Sequence, residues 1–121
     1  MSRRVVFVGG PADLRTRLEG ALDAAFDIDV EHHDDALEAI RLLPNRTVDL
    51  FVVLATGNPT PGLDLVQLLR EHRVHGEVPI LFVAGSSAER EAALSFGAVL
   101  ASAEPSDDEI RRLAREALAI G

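Results

Sequence analysis

The sequence contains no cysteine, no tryptophan and no tyrosine. Without cysteine it can form no disulfide, no thiolate zinc site and no thiol nucleophile. It also lacks long apolar runs. None approaches the ~20 residues that span a bilayer, and the run after Arg3-Arg4 is too short for a signal peptide. These absences predict a cytoplasmic domain that does not enter a membrane.

Basic residues are also scarce. The 121 residues include 12 Lys and Arg against 20 Asp and Glu, which gives a net charge of −8. Binding to nucleic acid or to an anionic membrane surface needs clustered basic side chains, so we expect neither partner. An apolar fraction of 47% argues against disorder, and the length suits one domain with a substantial core.

What the chain does contain is a buried strand followed by a loop rich in breakers. Residues 49–54 are Asp-Leu-Phe-Val-Val-Leu, and Pro59, Pro61 and Gly62 follow them. A short continuous apolar run that ends in breakers is typical of the central strand of a parallel sheet. The loop after such a strand lies at the carboxyl edge of the sheet, where ligands bind in open parallel sheets.

The rest of the chain alternates in the same way. Each predicted strand is followed by a segment with helical apolar spacing; the strands are at 5–8, 28–30, 49–54, 80–83 and 98–101. Ser106 and Glu109 form a capping-box pair at the start of the last helix. This alternation predicts an α/β fold: a flavodoxin-like, doubly wound, five-stranded parallel sheet with strand order 2-1-3-4-5 and helices on both faces.

Four segments carry a resemblance to a known family. They are the strand 49–54, the run Gly62-Leu63-Asp64-Leu65, the strand 79–84 and the run Ala93-Leu94-Ser95-Phe96-Gly97-Ala98. Their order and spacing are similar to those of the receiver domain of bacterial two-component response regulators. The likeness runs from Val5 to about Leu118, so we expect a single receiver-like domain over residues 1–121. It implies a signalling module and not an enzyme.

The positions that carry receiver chemistry differ in this chain. By the resemblance, Gly9 and Gly10 replace the acidic pair that holds Mg²⁺, and Leu54 replaces the phosphoacceptor aspartate. Ala84 replaces the phosphate-binding Thr or Ser, and Glu104 replaces the lysine. A hard dication needs carboxylate oxygens, which glycine and leucine do not supply, and a carboxylate at 104 would repel a phosphoryl group. We therefore predict no metal or other cofactor and no phosphorylation at the usual site.

Three other motifs suggest alternatives. Gly9-Gly10-Pro11 before a helix resembles an anion cradle but lacks the spacing of a dinucleotide site; a plain turn is the other interpretation. The segment 32–35, His-His-Asp-Asp, has metal-ligand residue types, but adjacent strand-end residues point in opposite directions, which favours a solvated loop. The hydroxyls of Thr56, Ser86 and Ser87 lie near the expected cleft without a base, and their positions suit helix caps and loops.

The last part of the chain offers a surface for a partner. Receivers commonly pair through the face formed by the fourth helix, the fifth strand and the fifth helix. The residues that we predict to bind a partner protein or a second copy there are Glu91, Leu94, Ala101, Arg111, Arg112 and Arg115. Ala101 stands where receivers have an aromatic switch residue. Acidic residues of the same face, Glu89, Glu91 and Asp108, would meet the arginines across a two-fold axis; an ordinary solvated helix face is the alternative.

These features favour a phosphorylation-independent pseudo-receiver that binds a partner protein or pairs with itself. A second hypothesis is a small-molecule sensor, because Gly9, Gly10, Ala84 and Ala101 would leave room for a ligand in the cleft. A third hypothesis keeps phosphorelay chemistry with an unusual acceptor. The chain also suits a regulatory domain of a larger response regulator whose output domain lies elsewhere.

Overall fold

The computed structural model describes residues 3–9, 12–24, 27–33, 48–54, 70–71, 78–83, 87–102 and 106–120. The strands are Arg3–Gly9 (β1), Ile28–His33 (β2), Leu50–Leu54 (β3), Ile80–Val83 (β4) and Val99–Ala101 (β5), and the helices are Ala12–Asp23 (α1), Ser87–Ser95 (α2) and Asp107–Ile120 (α3). Helices α2 and α3 are the fourth and fifth helices predicted from the sequence. The predicted second helix lies outside the described residues, as does the third apart from Arg70 and Glu71, which are helical.

The strands form one parallel sheet in the order β2-β1-β3-β4-β5, which confirms the predicted topology. Asp49 sets the start of β3 against β1. Its carboxylate accepts the backbone N–H of Arg4 at 2.8 Å, and its own N–H donates to the carbonyl of Arg4 at 2.9 Å. The strands β1, β3 and β4 then end side by side, because the register pairs Leu54 with both Gly9 and Val83.

Helices cover both faces of the sheet, and every residue of β3 and β4 is buried. This explains why these two strands are continuously apolar instead of alternating. On one face, α1 and α3 pack on the sheet; the main residues of this layer are Phe7, Leu18, Leu22, Leu54, Leu81, Ile110 and Ala114. On the other face, α2 contributes Ala93 to a layer with Val6, Val8, Phe51, Val53 and Phe82.

Helix α3 begins where the sequence predicts, since the Ser106 hydroxyl accepts the backbone N–H of Glu109 at 3.2 Å. The carboxylate of Glu109 accepts the Ser102 hydroxyl at 2.6 Å, so it links the helix to the end of β5. The predicted apolar stripe is buried at Ile110, Ala114 and their neighbours on the same side. In the part of the chain that the structure describes, no helix combines the length and the hydrophobicity needed to cross a membrane.

The histidine pair corrects one prediction. We expected a solvated loop at His32 and His33, but β2 continues through both, and His33 is buried. The His32 ring stacks on Phe7 with centroids 5.3 Å apart, and its Nε2 lies 3.0 Å from Glu19 of α1. His33 lies on the opposite face, where its Nε2 is 3.4 Å from Glu31. Each histidine has a carboxylate partner, which allows it to lie in an edge strand. The residue types alone do not predict a strand here.

The first prediction concerns Gly20, which lies inside α1 on the exposed side with nothing within 4 Å of an added Cβ. Gly20→Ala should raise the free energy of unfolding by about 1 kcal/mol, because alanine restricts the unfolded backbone and favours the helix. Gly97→Ala is the matched control. Its φ of 83° disfavours a side chain, so we expect it to lower that free energy by about 1–2 kcal/mol. Urea unfolding measures both, and a destabilised Gly20→Ala variant would contradict the helix placement.

The second prediction compares two leucines of opposite exposure. Leu54 is completely buried, whereas Leu94 on α2 is 60% exposed. Leu54→Ala should lower the free energy of unfolding by about 2–5 kcal/mol because it opens a cavity in the core. Leu94→Ala should change it by no more than about 0.5 kcal/mol. Similar effects in urea titrations of the two variants would show that the side chain of Leu54 is not packed in the core.

Candidate functional site

The candidate site lies at the carboxyl edge of the sheet, where Gly9, Leu54 and Val83 end β1, β3 and β4. Gly9 has a φ of 77°, a backbone conformation that side chains disfavour, and this turns the chain out of β1 towards α1. Leu54 has no exposed surface and belongs to the core layer beneath α1 and α3. The centre of the edge is therefore closed by an aliphatic side chain.

Magnesium does not fit these residues. Mg²⁺ binds carboxylate oxygens and water in near-octahedral geometry, and none of the three strand-end residues carries a polar side chain. Gly10, Ala84 and Glu104 complete the predicted site in sequence but lie outside the described residues, as do Thr56 and Ser86. The side chains at Gly10 and Ala84 add no metal ligand, whatever their geometry.

Two described carboxylates of the sheet region, those of Asp49 and Glu31, interact with Arg4 and not with the carboxyl edge. Asp49 lies at the amino end of β3 and bonds to the backbone of Arg4. Glu31 forms an ion pair with Arg4, with the two charged atoms 2.7 Å apart. Within the described ranges, no group of three or more histidine or acidic residues is arranged to hold a metal ion. Because His32 and His33 point to opposite faces, they do not converge on a common ligand.

The second candidate region is the face formed by α2, β5 and α3, which we call the α2–β5–α3 face. Four of the predicted residues are exposed on its helices: Glu91, Leu94, Arg112 and Arg115. Leu94 is the one large apolar side chain that is exposed in the described part of the chain. Arg112 borders a shallow depression at the end of β5, and the residues that line it with Arg112 are Ser102, Ser106, Asp108 and Glu109.

Two predicted members of this face lie elsewhere. Ala101 is buried in the core, because its side chain points inward from the short strand β5, and it offers no contact surface. Arg111 lies on the other flank of α3, where its Nε donates to the carbonyl of Ala21 in α1 at 3.1 Å. Its Nη1 is 3.4 Å from Asp108 of its own helix. Arg111 therefore joins α3 to α1, and we correct its assignment to the partner face.

Two further arginines, which the sequence did not single out, bind backbone carbonyls around α2. Arg90 donates from Nη1 to the carbonyl of Ala101, the last residue of β5. Arg70 donates to the carbonyls of Phe96, Gly97 and Val78. Burial lowers the pKa of the Arg70 guanidinium below its ordinary value, although a guanidinium keeps its charge in proteins. The guanidinium groups of Arg70 and Arg90 therefore hold backbone segments together. They supply neither a nucleophile nor a base.

No protein-family model and no curated protein matches this sequence. Solved structures do. A signal receiver domain of a histidine kinase from Clostridium thermocellum is similar with a TM-score of 0.84 and 14% identity, over 98% of each chain. The receiver domain of a sensor histidine kinase from Pseudomonas aeruginosa, with magnesium coordinated in its active-site cleft, has a TM-score of 0.83 and 16% identity, over 98% of this chain and 99% of that one.

A third similar structure is the beryllofluoride-activated NtrC4 receiver domain dimer, with a TM-score of 0.83 and 14% identity over 97% of each chain. The likeness in all three cases extends over nearly the whole chain, and it agrees with the strand order observed here. At such identities the likeness establishes the fold. The chain therefore has the five-stranded parallel fold of signal receiver domains.

Proposed function

We propose that this domain is a phosphorylation-independent receiver-like signalling module, which acts by binding a partner protein or a second copy of itself. The observation that carries the proposal is the complete burial of Leu54 at the central strand end. A phosphoacceptor must be reached by a phosphodonor and by a metal ion, and a buried aliphatic side chain provides neither access nor a nucleophile.

The charge of the chain supports the same proposal. All 12 of its basic residues are arginines, so the chain has no lysine with which to contact a phosphoryl group. Two of the described arginines, Arg70 and Arg90, donate to backbone carbonyls. None of Gly9, Leu54 and Val83, which end the three central strands, carries a positive charge that could offset a phosphoryl group.

We favour protein binding over the small-molecule alternative. The vacated cleft of the sequence-based hypothesis depended on space left by glycine and alanine, but Leu54 and Ala101 are both buried in one continuous core layer. In contrast, the α2–β5–α3 face presents Leu94 one helical turn from Glu91 on α2, and the exposed Arg112 on α3. An exposed apolar residue within a charged rim suits a modest protein interface, and the NtrC4 receiver, of similar fold, is a dimer.

The third prediction tests the phosphorylation site. Incubation of the protein with acetyl phosphate and Mg²⁺ should leave its intact mass unchanged, because residue 54 supplies no carboxylate and Gly9 and Gly10 supply no metal ligand. An active receiver domain treated in the same tube serves as the positive control. A phosphoryl adduct on this protein, mapped to any residue of the carboxyl edge, would refute phosphorylation-independent action.

The fourth prediction tests self-association through the α2–β5–α3 face. Leu94→Glu should weaken association by about tenfold or more, since it places a charge in the apolar centre of the proposed interface. Ala88→Glu is the control, because Ala88 is also exposed on α2 but lies on a different side of the helix. Sedimentation velocity across a concentration series measures both variants and the wild type.

A dimer that Leu94→Glu leaves intact would exclude this face as the interface. A wild type that stays monomeric at every concentration would remove self-association and leave a different protein as the partner. Pull-down experiments with the same two variants then test that form of the proposal. Equal recovery of partners by Leu94→Glu and by the wild type would exclude the face altogether.

A further inference from the structure

Helix α2 contributes few buried side chains to the core that the structure describes. Among its residues, Ser87–Ser95, only Ala93 is buried, and Leu94 is largely exposed. By comparison, α1 buries two leucines and an alanine, and α3 buries a stripe that includes Ile110 and Ala114. Hydrophobic burial scales with apolar area, so a single alanine side chain provides only a small part of what holds α2 on the sheet.

The C-terminus of α2 creates carbonyl groups that need partners. The helix ends in a Schellman motif, in which Gly97 N–H donates to Leu94 at 2.9 Å and Ala98 N–H donates to Ala93 at 3.1 Å. Gly97 takes the left-handed conformation that this motif requires. The motif satisfies the carbonyls of Ala93 and Leu94, but it supplies no donor for the carbonyls of Phe96 and Gly97, which follow the helix.

Arg70 supplies the donors for these carbonyls from outside the helix. Its Nε is 2.7 Å from the carbonyl oxygen of Phe96, and its Nη2 is 3.5 Å from that of Gly97. Its Nη1 donates at 2.6 Å to Val78, just before β4. One planar guanidinium thus connects the end of α2 to the approach to β4, and it also places a positive charge at the negative end of the helix dipole.

Arg90 makes a second polar connection from the body of α2. Its side chain crosses to the carboxyl end of β5, where Nη1 donates to the carbonyl of Ala101. The two connections lie on different parts of the helix. Arg70 holds the C-terminus from one side, whereas Arg90 holds the middle of the helix to the edge strand.

We propose that Arg70 and Arg90 are positioning residues that hold α2 on the sheet. When these contacts are lost, α2 opens as a local unit while the rest of the domain stays folded. The physical basis is that charged hydrogen bonds to carbonyls, and not a buried apolar stripe, supply most of the attachment of this helix. The attachment of α2 lies within one chain and does not depend on self-association. If both hold, the two arginines also set the orientation of Leu94 on the α2–β5–α3 face.

Amide hydrogen exchange of the full chain tests the proposal, with separate rates for α2 and for the core segment Ile110–Ala117 of α3. Arg70→Gln and Arg90→Gln remove the guanidinium donors, whereas Arg3→Gln makes the same change of charge at an exposed position at the start of β1, away from the α2–β5–α3 face. We expect amides of α2 to exchange about tenfold or more faster in the first two variants, with little change in α3. Arg3→Gln should leave both segments at wild-type rates.

Three results would overturn the proposal: unchanged α2 exchange in both tether variants, equal acceleration of α2 and α3, or the same effect from Arg3→Gln. If Arg70→Gln does not fold, Arg70→Lys takes its place. Lysine keeps the charge but cannot reach three carbonyls from a planar group, so the same selective acceleration is expected. Self-association is measured in parallel, and its absence leaves the exchange result fully interpretable.

Discussion

The packing of Leu54 between the ends of β1 and β4 is the contact on which the structure and its proposed function both depend. Parallel strands bring their carboxyl ends to one edge, and this is where an α/β sheet usually offers polar groups to a ligand. Here the central strand instead ends in a buried aliphatic side chain, and Gly9 beside it contributes only backbone. The described end of β3 therefore belongs to the hydrophobic core, and on this basis we propose that the edge is not a reaction site.

The polar side chains that the structure describes interact mainly on and between the helices and at the edge strands, and not at the carboxyl end of β3. The arginines that the structure describes in detail donate mainly to carbonyl oxygens or to carboxylates that join elements. Arg111 joins α3 to α1, Arg70 joins α2 to the approach to β4, and Arg4 pairs with Glu31 across β1 and β2. Such contacts orient helices on a rigid sheet. Among the described residues, the outer face of α2 and α3 carries the exposed side chain of Leu94, and we propose this face as the one that meets another molecule.

Much of this architecture could be predicted from local pattern. Strand β4 occupies the residues predicted for it, because a continuous apolar run between breakers has few other solutions, and the order of the sheet follows from short right-handed crossovers. Strand β2 was predicted too short, since His32 and His33 resemble loop residues until their partners Glu19 and Glu31 are known. The resemblance places Ala101 on the partner face, at the position of an aromatic switch residue, but the small alanine side chain is buried in the core.

The polar contacts between residues far apart in the chain could not be predicted from the sequence. Arg70 and the carbonyl of Phe96 are 26 positions apart, and Arg111 and the carbonyl of Ala21 are 90 apart. A guanidinium that binds backbone leaves no signature in the identity of its partner, because every residue has a carbonyl. The resemblance assigned Arg111, Arg112 and Arg115 to one partner face, yet Arg111 donates to the carbonyl of Ala21 in α1, whereas Arg112 and Arg115 are exposed.

We propose that the carboxyl edge of the sheet binds neither Mg²⁺ nor beryllofluoride. An NMR titration with both ions, following the backbone amides of Gly9, Leu54 and Val83, tests this most directly. The amide resonances should stay at their starting positions throughout, because none of these three residues has a side-chain oxygen that could hold the ions. Saturable shifts confined to these three amides would contradict the account, since they would place a bound ion at the edge that Leu54 is proposed to close.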